Sequence, residues 1–288
     1  MRGEKIAILV PAADGAYGGT RWPEVLARMV GPLEAAGLRV EAVDWSSGED
    51  LTGFDLVLAL LVWGYHSDGD WAGQVARWRE AGVRLQNPPG VLGWNSDKSY
   101  LGAFAAKGAS VVPTRFVDRV TEAALHEAAV FFGTDRLVAK PRVSAGAFRT
   151  IRWSPGIPLD DAPTGAAMIQ PFMTEVLETG EPSLLYLGGT FSHAVSKVPQ
   201  SGDFRVQPEY GGRITPYAPS PDEMAAAEAA LAAAGEPLLY ARIDLVRDRE
   251  GRPVLMELEA VEPDLFLEYH PDAPARFTEA VAAAARHR

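Results

Sequence analysis

The chain has 288 residues and no cysteine, with 47% hydrophobic and 23% charged residues. It therefore carries enough apolar mass for a full core, and it excludes disulfide scaffolds, thiolate metal sites and a cysteine nucleophile. A net charge of −11 with no basic run removes the attraction to phosphate backbones and anionic lipids, so neither nucleic acid nor membrane is expected as a partner.

Residues 6–10 form a continuous apolar run stopped by Pro11. That pattern predicts a strand buried on both faces, and it is too short for a signal-peptide core or a membrane span, so a cytoplasmic protein is expected. A helix is predicted over 22–36, closed by Gly37, then two more buried strands at 38–43 and 55–61. A helix at 71–81 and a short strand at 83–86 complete an alternation that implies a parallel sheet covered by helices. Asn87-Pro88-Pro89-Gly90 continues neither a helix nor a ladder and marks a lobe boundary. Beyond it, Asn95 or Ser96 is expected to cap a helix running to about Lys107, followed by an edge strand at 111–114. A helix at 121–132 and a strand pair at 137–140 and 148–153 around a small-residue loop complete a compact α+β lobe. Past a proline-rich connection at about 160–165, antiparallel strands are expected at 167–170, 184–187 and 191–198. Ser220-Pro221-Asp222-Glu223 has the signature of a helix start, with the helix running to Ala234 and stopping at Gly235. Strands at 240–246 and 254–258 joined by a polar turn, and a terminal helix from about Pro274, finish the chain. The expected division is 1–93, an α/β substrate lobe; 94–166, a middle lobe; and 167–288, a third lobe carrying a metal site.

The strongest chemical signal is the acidic set Asp244, Glu257 and Glu259 on two strands joined by a turn. Residues two apart on a strand share a face, so three carboxylates converge. Such a set favours a hard cation, magnesium or manganese, with nucleotide phosphates completing its shell. A solvated hairpin face is the competing reading. Lys98 at a helix start and Lys140 at a strand end are placed to neutralise phosphate oxygens, or are ordinary exposed lysines. Between Lys140 and Arg149 lies a small, flexible loop containing Ser144 and Gly146, suited to presenting backbone N–H groups to a triphosphate. There is no Walker-A sequence, and Gly15, Gly18 and Gly19 lack the dinucleotide spacing. Gln170-Pro171-Phe172-Met173 leaves a strand as an apolar slot for a purine. His193, alternating with Phe191 and Val195, reads as a satisfied histidine rather than a base.

In this order the pieces resemble the ATP-grasp superfamily, in its glutathione-synthetase-like branch of carboxylate ligases that includes O-ureidoserine cyclo-ligases. The similarity is carried by NPPGVLGWNSDKSYL at 87–101, VVPT at 111–114, Glu181-Pro182-Ser183-Leu184, FSHAVSKVP at 191–199 and Gly202-Asp203-Phe204-Arg205. It implies an ATP-grasp fold: an N-terminal parallel α/β lobe, a small middle lid lobe and a C-terminal antiparallel lobe. ATP is then expected between the middle and C-terminal lobes, with Lys98 and Lys140 on its phosphates and Gln170, Phe172 and Met173 at the adenine hinge. The resemblance also places Glu181 or Glu178 near the ribose, and Asp244, Glu257 and Glu259 on two magnesium ions, although the last is often asparagine in such ligases. Arg205 and Arg242 match cations that steady the γ-phosphate or acyl phosphate.

The implied activity is ATP-dependent: a small amino-acid-like carboxylate is activated as an acyl phosphate and joined to an amine-type nucleophile, releasing ADP and phosphate. Both a cyclising ligase and an amide or peptide synthetase fit. An ATP-binding regulatory protein without turnover is the alternative, and a magnesium-dependent hydrolase leaves the lysines and hinge unexplained. Substrate choice is expected from Tyr17, Trp63, Tyr65 and His66, for which aromatic core packing is the competing role. A homodimer or homotetramer is the expected assembly.

Overall fold

The structure, a computed structural model, describes residues 3–67, 69–206 and 210–287. Its first sheet is parallel, with β1 (Lys5–Val10) flanked by β2 (Arg39–Asp44) and β3 (Leu56–Leu58), and β4 (Leu85–Gln86) beyond β3. The apolar run of β1 is buried on both faces as expected. Ile6, Ile8 and Val10 pack with Val25, Met29 and Leu33 of α1 (Trp22–Ala35), and Ala7 and Leu9 with Trp71, Val75 and Trp78 of α2 (Trp71–Glu80). β2 differs from its expectation: it is an edge strand exposing Arg39, Glu41 and Ala42, because only its inner face meets the core. The next strand is also shorter than expected. β3 ends at Leu58, and the buried residues 59–62 continue without a ladder toward the cavity described below.

The proline pair, which continues neither a helix nor a ladder, stands at the start of a helix, α3 (Pro89–Asn95). Pro89 occupies the first turn, where its missing N–H would be unpaired in any case. Asn87 is fully buried: its side-chain oxygen accepts from Leu239 N–H at 2.7 Å, and its amide donates to Tyr240 and Ala260 carbonyls at 2.9 and 2.8 Å. Asn95 does not cap a helix either. Its amide donates to Leu258 O at 2.8 Å and its oxygen accepts from Ala260 N–H at 2.7 Å, so α4 (Tyr100–Ala106) begins after Ser99. The two asparagines fasten the ends of the 87–95 segment to the last lobe, satisfying backbone groups that burial would otherwise strand.

The middle sheet is antiparallel, in the order β5 (Arg115–Val117), β8 (Ala167–Pro171), β6 (Leu137–Pro141) and β7 (Ile151–Trp153). It shares a core with α5 (Glu122–Phe132), which Thr121 caps by accepting from Ala124 N–H and Gly133 ends at a left-handed φ of 64°. Two expectations are corrected here. Residues 111–114 make only a bridge, Val111 to Leu255, since Pro113 has no N–H to donate. β8, expected to open the third region, pairs with β5 and β6 because Ala167 and Ile169 fill the core of this middle sheet.

The last sheet is antiparallel, in the order β11 (Arg213–Tyr217), β10 (Thr190–Val198), β9 (Glu181–Leu187), β12 (Tyr240–Arg247) and β13 (Pro253–Glu259). A short helix, α6 (Glu175–Thr179), precedes it. The expected helix is present as α7 (Pro221–Ala234): Ser220 N–H donates to Glu223 at 2.8 Å, and Gly235 closes it at a φ of 76°. The terminal helix α8 (Ala273–Arg286) buries Phe277 and Val281 against α1 and β9, joining the first and last lobes through one apolar cluster. Among the described residues no helix is long and apolar enough to cross a membrane.

Candidate active site

A cavity of about 840 Å³ lies where the three sheets meet. One wall is the charged face of the last sheet. Asp244 sits opposite Glu257 and Arg242 opposite Glu259 across β12 and β13, while Ser183 of β9 faces Asp244 and Lys197 of β10 faces Glu181. The period of two along each strand therefore sends all these side chains to one face, as the spacing predicted for the acids. The structure adds the cations. Arg242 straddles Asp244, Nε at 3.0 Å and Nη2 at 2.9 Å, and also pairs with Glu259. Lys197 lies 2.5 Å from Glu181 and 3.0 Å from Asp244, whose other oxygen accepts from Ser183 at 2.5 Å. Burial opposes the Asp244 charge, but Arg242 and Lys197 outweigh it and hold the carboxyl well below the usual range. Burial likewise works against the Lys197 ammonium, yet Asp244 and Glu181 raise its pKa.

Among the described residues no group of three or more histidine, cysteine or carboxylate side chains is already arranged around a metal position. The acids expected to hold metal share a face, but here their neighbours Arg242, Lys197 and Lys98 neutralise them. The donor set is all oxygen, which suits a hard cation such as magnesium.

The opposite wall comes from the first and middle lobes. Lys98 is buried, donates to Ser144 O at 2.6 Å and lies 3.1 Å from Glu257. Its neighbour Asp97 clamps Arg142 at 2.6 Å, fixing the start of the loop that carries Ser144 and Gly146. That loop is tightly turned, with Ala147 and Arg149 in the left-handed region and Gly146 accepting from the Tyr210 hydroxyl at 3.5 Å. Among the described residues Lys140 has only the Met256 sulfur within bonding reach, at 3.9 Å, and burial lowers its pKa despite Glu257. At the hinge, Gln170 donates to the Thr114 hydroxyl at 2.8 Å and Phe172 N–H to Arg136 O at 2.8 Å. The Phe172 ring lies 4.2 Å from the Arg152 guanidinium, and Met173 lines the cavity beside it. Arg205 reaches the cavity while paired to Asp203 at 2.7 Å and stacked on Tyr210 at 3.6 Å.

From the N-terminal lobe come Tyr17, Trp63, Tyr65 and His66. The Tyr17 hydroxyl lies 3.2 Å from His66 Nε2, and the His66 ring 5.6 Å from Phe148 of the 142–150 loop. Tyr65 also packs against Trp71 at 5.5 Å, so core packing and cavity lining coexist there. Glu178 is corrected: it is exposed on α6 and off the cavity wall, since α6 turns Val176 inward and a residue two further on faces away. Every other expected site residue lines the cavity. His193 is a satisfied interior histidine: Nε2 lies 3.1 Å from the Leu265 and Phe266 carbonyls, and burial pushes its pKa down to about 4.

Three features escaped sequence reasoning. Lys197 carried little signal, a lysine in a strand that also holds Ser192, His193 and Ser196. Arg21 and Arg28 of the first lobe, paired to Asp264 and Glu268, carried none. Glu262, between Val261 and Pro263 after β13, lines the cavity, and burial followed by Glu259 pushes its carboxyl up to about 8.

A cavity where three sheets meet, with Lys98 and Lys140 facing a wall of paired acids, has the charge pattern of an enzyme that transfers an anionic group. No family model matches the chain. The cycloserine biosynthesis protein DcsG of Streptomyces lavendulae is 30% identical over 280 residues, covering 85% of this chain and 89% of that protein. The crystal structure of the D-cycloserine synthetase DcsG superposes with a TM-score of 0.84 at 25% identity, covering 98% of this chain and 100% of that one. D-alanine–D-alanine ligase from Bacillus anthracis follows with a TM-score of 0.72 at 14% identity, covering 98% and 97%. ATP-grasp ligase PsnB has a TM-score of 0.64 at 16% identity, covering 99% and 100%. The chain belongs to the ATP-grasp ligases and is an ATP-dependent carboxylate–amine ligase that forms C–N bonds.

Proposed function

We propose that the substrate is a small amino-acid-like carboxylate, activated as an acyl phosphate and joined to an amine within the same molecule or on a second one. The observation that carries it is the meeting, in one cavity, of Lys98 and Lys140 with the Asp244, Glu257 and Glu259 face. ATP lies between the middle and last sheets, its adenine against Gln170, Phe172 and Met173 and its ribose near Glu181. Lys98 and Lys140 hold phosphate oxygens as point charges, and backbone N–H groups around Ser144 and Gly146 cover them. Asp244, Glu257 and Glu259 would hold magnesium, two ions or manganese in its place, which supplies charge neutralisation at the transferring phosphoryl group. Structures of PsnB with Mg and ADP support that pairing of metal and nucleotide in a relative of the same fold.

The substrate carboxylate oxygen attacks the γ-phosphorus and the bond to ADP breaks. An amine nitrogen then attacks the acyl carbon, the single bond from that carbon to the bridging oxygen breaks with its electron pair leaving on phosphate, and the nitrogen loses a proton. Arg242 and Arg205 steady the negative oxygens that develop, and positioning provides the rest, so no enzyme nucleophile is required. Lobe roles follow: residues 1–93 select substrate, the middle sheet through 171 forms the lid, and the remainder carries the metal face. A cytoplasmic location fits dependence on ATP.

The test measures ADP release with magnesium and ATP over a panel of amino acids and amines, wild type against Glu257→Gln. Substrate-dependent ADP in the wild type and a loss of about a thousandfold in the variant, with far-UV circular dichroism unchanged, is expected. Equal ADP formation in both would remove the metal assignment. ATP binding without turnover would restore the regulatory alternative.

A further inference from the structure

Charge pairing across the cavity wall singles out one residue. Glu181 and Asp244 share Lys197, Glu257 has Lys98, and Glu259 has Arg242. Asp264 and Glu268 have Arg21 and Arg28. Among the described residues, Glu262 alone of the carboxylates lining this cavity has no ion pair or hydrogen bond. The nearby cations are engaged elsewhere: Lys98 by Ser144 O and Glu257, Arg242 by Asp244 and Glu259. We infer that Glu262 reads a cationic amino group on the substrate, so that the preferred carboxylate also bears an ammonium.

A half-buried carboxylate without a partner is costly, and the cost disappears when a ligand brings the missing positive charge. Burial and Glu259 push its carboxyl up to about 8, so at neutral pH a cationic partner is what would hold it ionised. Its location fits substrate rather than nucleotide. Glu262 follows β13 toward the N-terminal lobe, and after burial it is the strongest influence raising the Tyr65 phenol pKa. Trp63 and Tyr65 line the same space and offer ring faces that favour a cation. Lys140 is the complementary case, a cavity cation that no carboxylate among the described residues pairs with, as expected of a group kept for phosphate oxygens.

The inference rests on the ligase reading above, and one experiment separates the two. Magnesium-ATP, hydroxylamine as the amine and a panel of amino acids, each matched to its des-amino carboxylic acid, are assayed for ADP and hydroxamate. For the best-used amino acid, the wild type is expected to favour the amino member, and Glu262→Gln to lower that preference by about tenfold to a hundredfold, chiefly through KM. Glu262→Asp should restore part of it. Binding of a non-hydrolysable ATP analogue serves as the control for an intact fold. Wild-type turnover that ignores the amino group, or a preference that survives Glu262→Gln, would overturn the role of Glu262 while leaving the ligase intact. If no carboxylate in the panel elicits ADP from the wild type, the amino-acid ligase reading fails and the inference falls with it.

Discussion

The charged face of the last sheet and the aromatic wall of the N-terminal loops enclose one cavity, yet different forces hold them. On the sheet, cross-strand register sets Lys197 opposite Glu181 and Arg242 opposite Glu259, and buried ion pairs lock Asp244, Arg242, Lys197 and Glu181 into a continuous network. On the other side, Tyr17, Trp63 and His66 stand on loops beyond β1 and β3, with Tyr17 and His66 in ring contact with each other and His66 against Phe148 from the middle lobe. A ladder suits the invariant part of the reaction, holding phosphate and metal. Loops beyond strand ends suit the variable part, the choice of substrate, because they can change without disturbing the ladder.

Breaking the network should have the largest structural effect. Asp244→Ala leaves Arg242 with Glu259 alone and Lys197 with Glu181 alone in a buried face, and a loss of about 3 kcal/mol in urea unfolding is expected. A loss below 1 kcal/mol would mean that the network adds little to stability.

An intermediate effect concerns His193, which holds the Leu265–Phe266 turn beneath Arg242. Its pKa in the fold, about 4, lies below the ordinary 6.5, so the unfolded chain binds the extra proton first. Its contribution is therefore complete above pH 6.5 and is lost as pH falls toward 4, a change of up to about 3 kcal/mol. Urea unfolding of the wild type between pH 7 and 4.5 should show that slope, and His193→Gln should flatten it. An identical slope in the variant would assign the pH dependence to other groups.

The smallest effect, and the one that sharpens the contrast between the walls, is Trp63→Ala. It should raise the KM for the carboxylate about tenfold while moving the KM for ATP less than about twofold. Parallel changes in both would show that the aromatic wall also holds nucleotide.

Much of the charged face was legible before the structure. Glu257 and Glu259 alternate on a strand, and Asp244 sits on the partner strand across a turn, so their convergence follows from the pleat. The helix at 221–234 was equally plain, because its start and stop are encoded within a few residues. The partners of those acids were not legible. That Lys197 bridges Glu181 and Asp244 depends on the strand order β10-β9-β12, which no local pattern encodes. Asn95 misled for a related reason: a side chain that resembles a cap residue locally was recruited by backbone groups more than 150 residues away. β8 was assigned to the wrong sheet because an apolar strand does not carry the address of its neighbours.

Local chemistry in the sequence thus determined which residues could bind phosphate and metal, where most helices and strands begin, and that each had an apolar side to bury. Only the tertiary structure decided which cation answers which acid, and that Glu262 is left without one. Charge pairing acts over a few ångströms in space, and the fold brings residues to that distance irrespective of their separation along the chain.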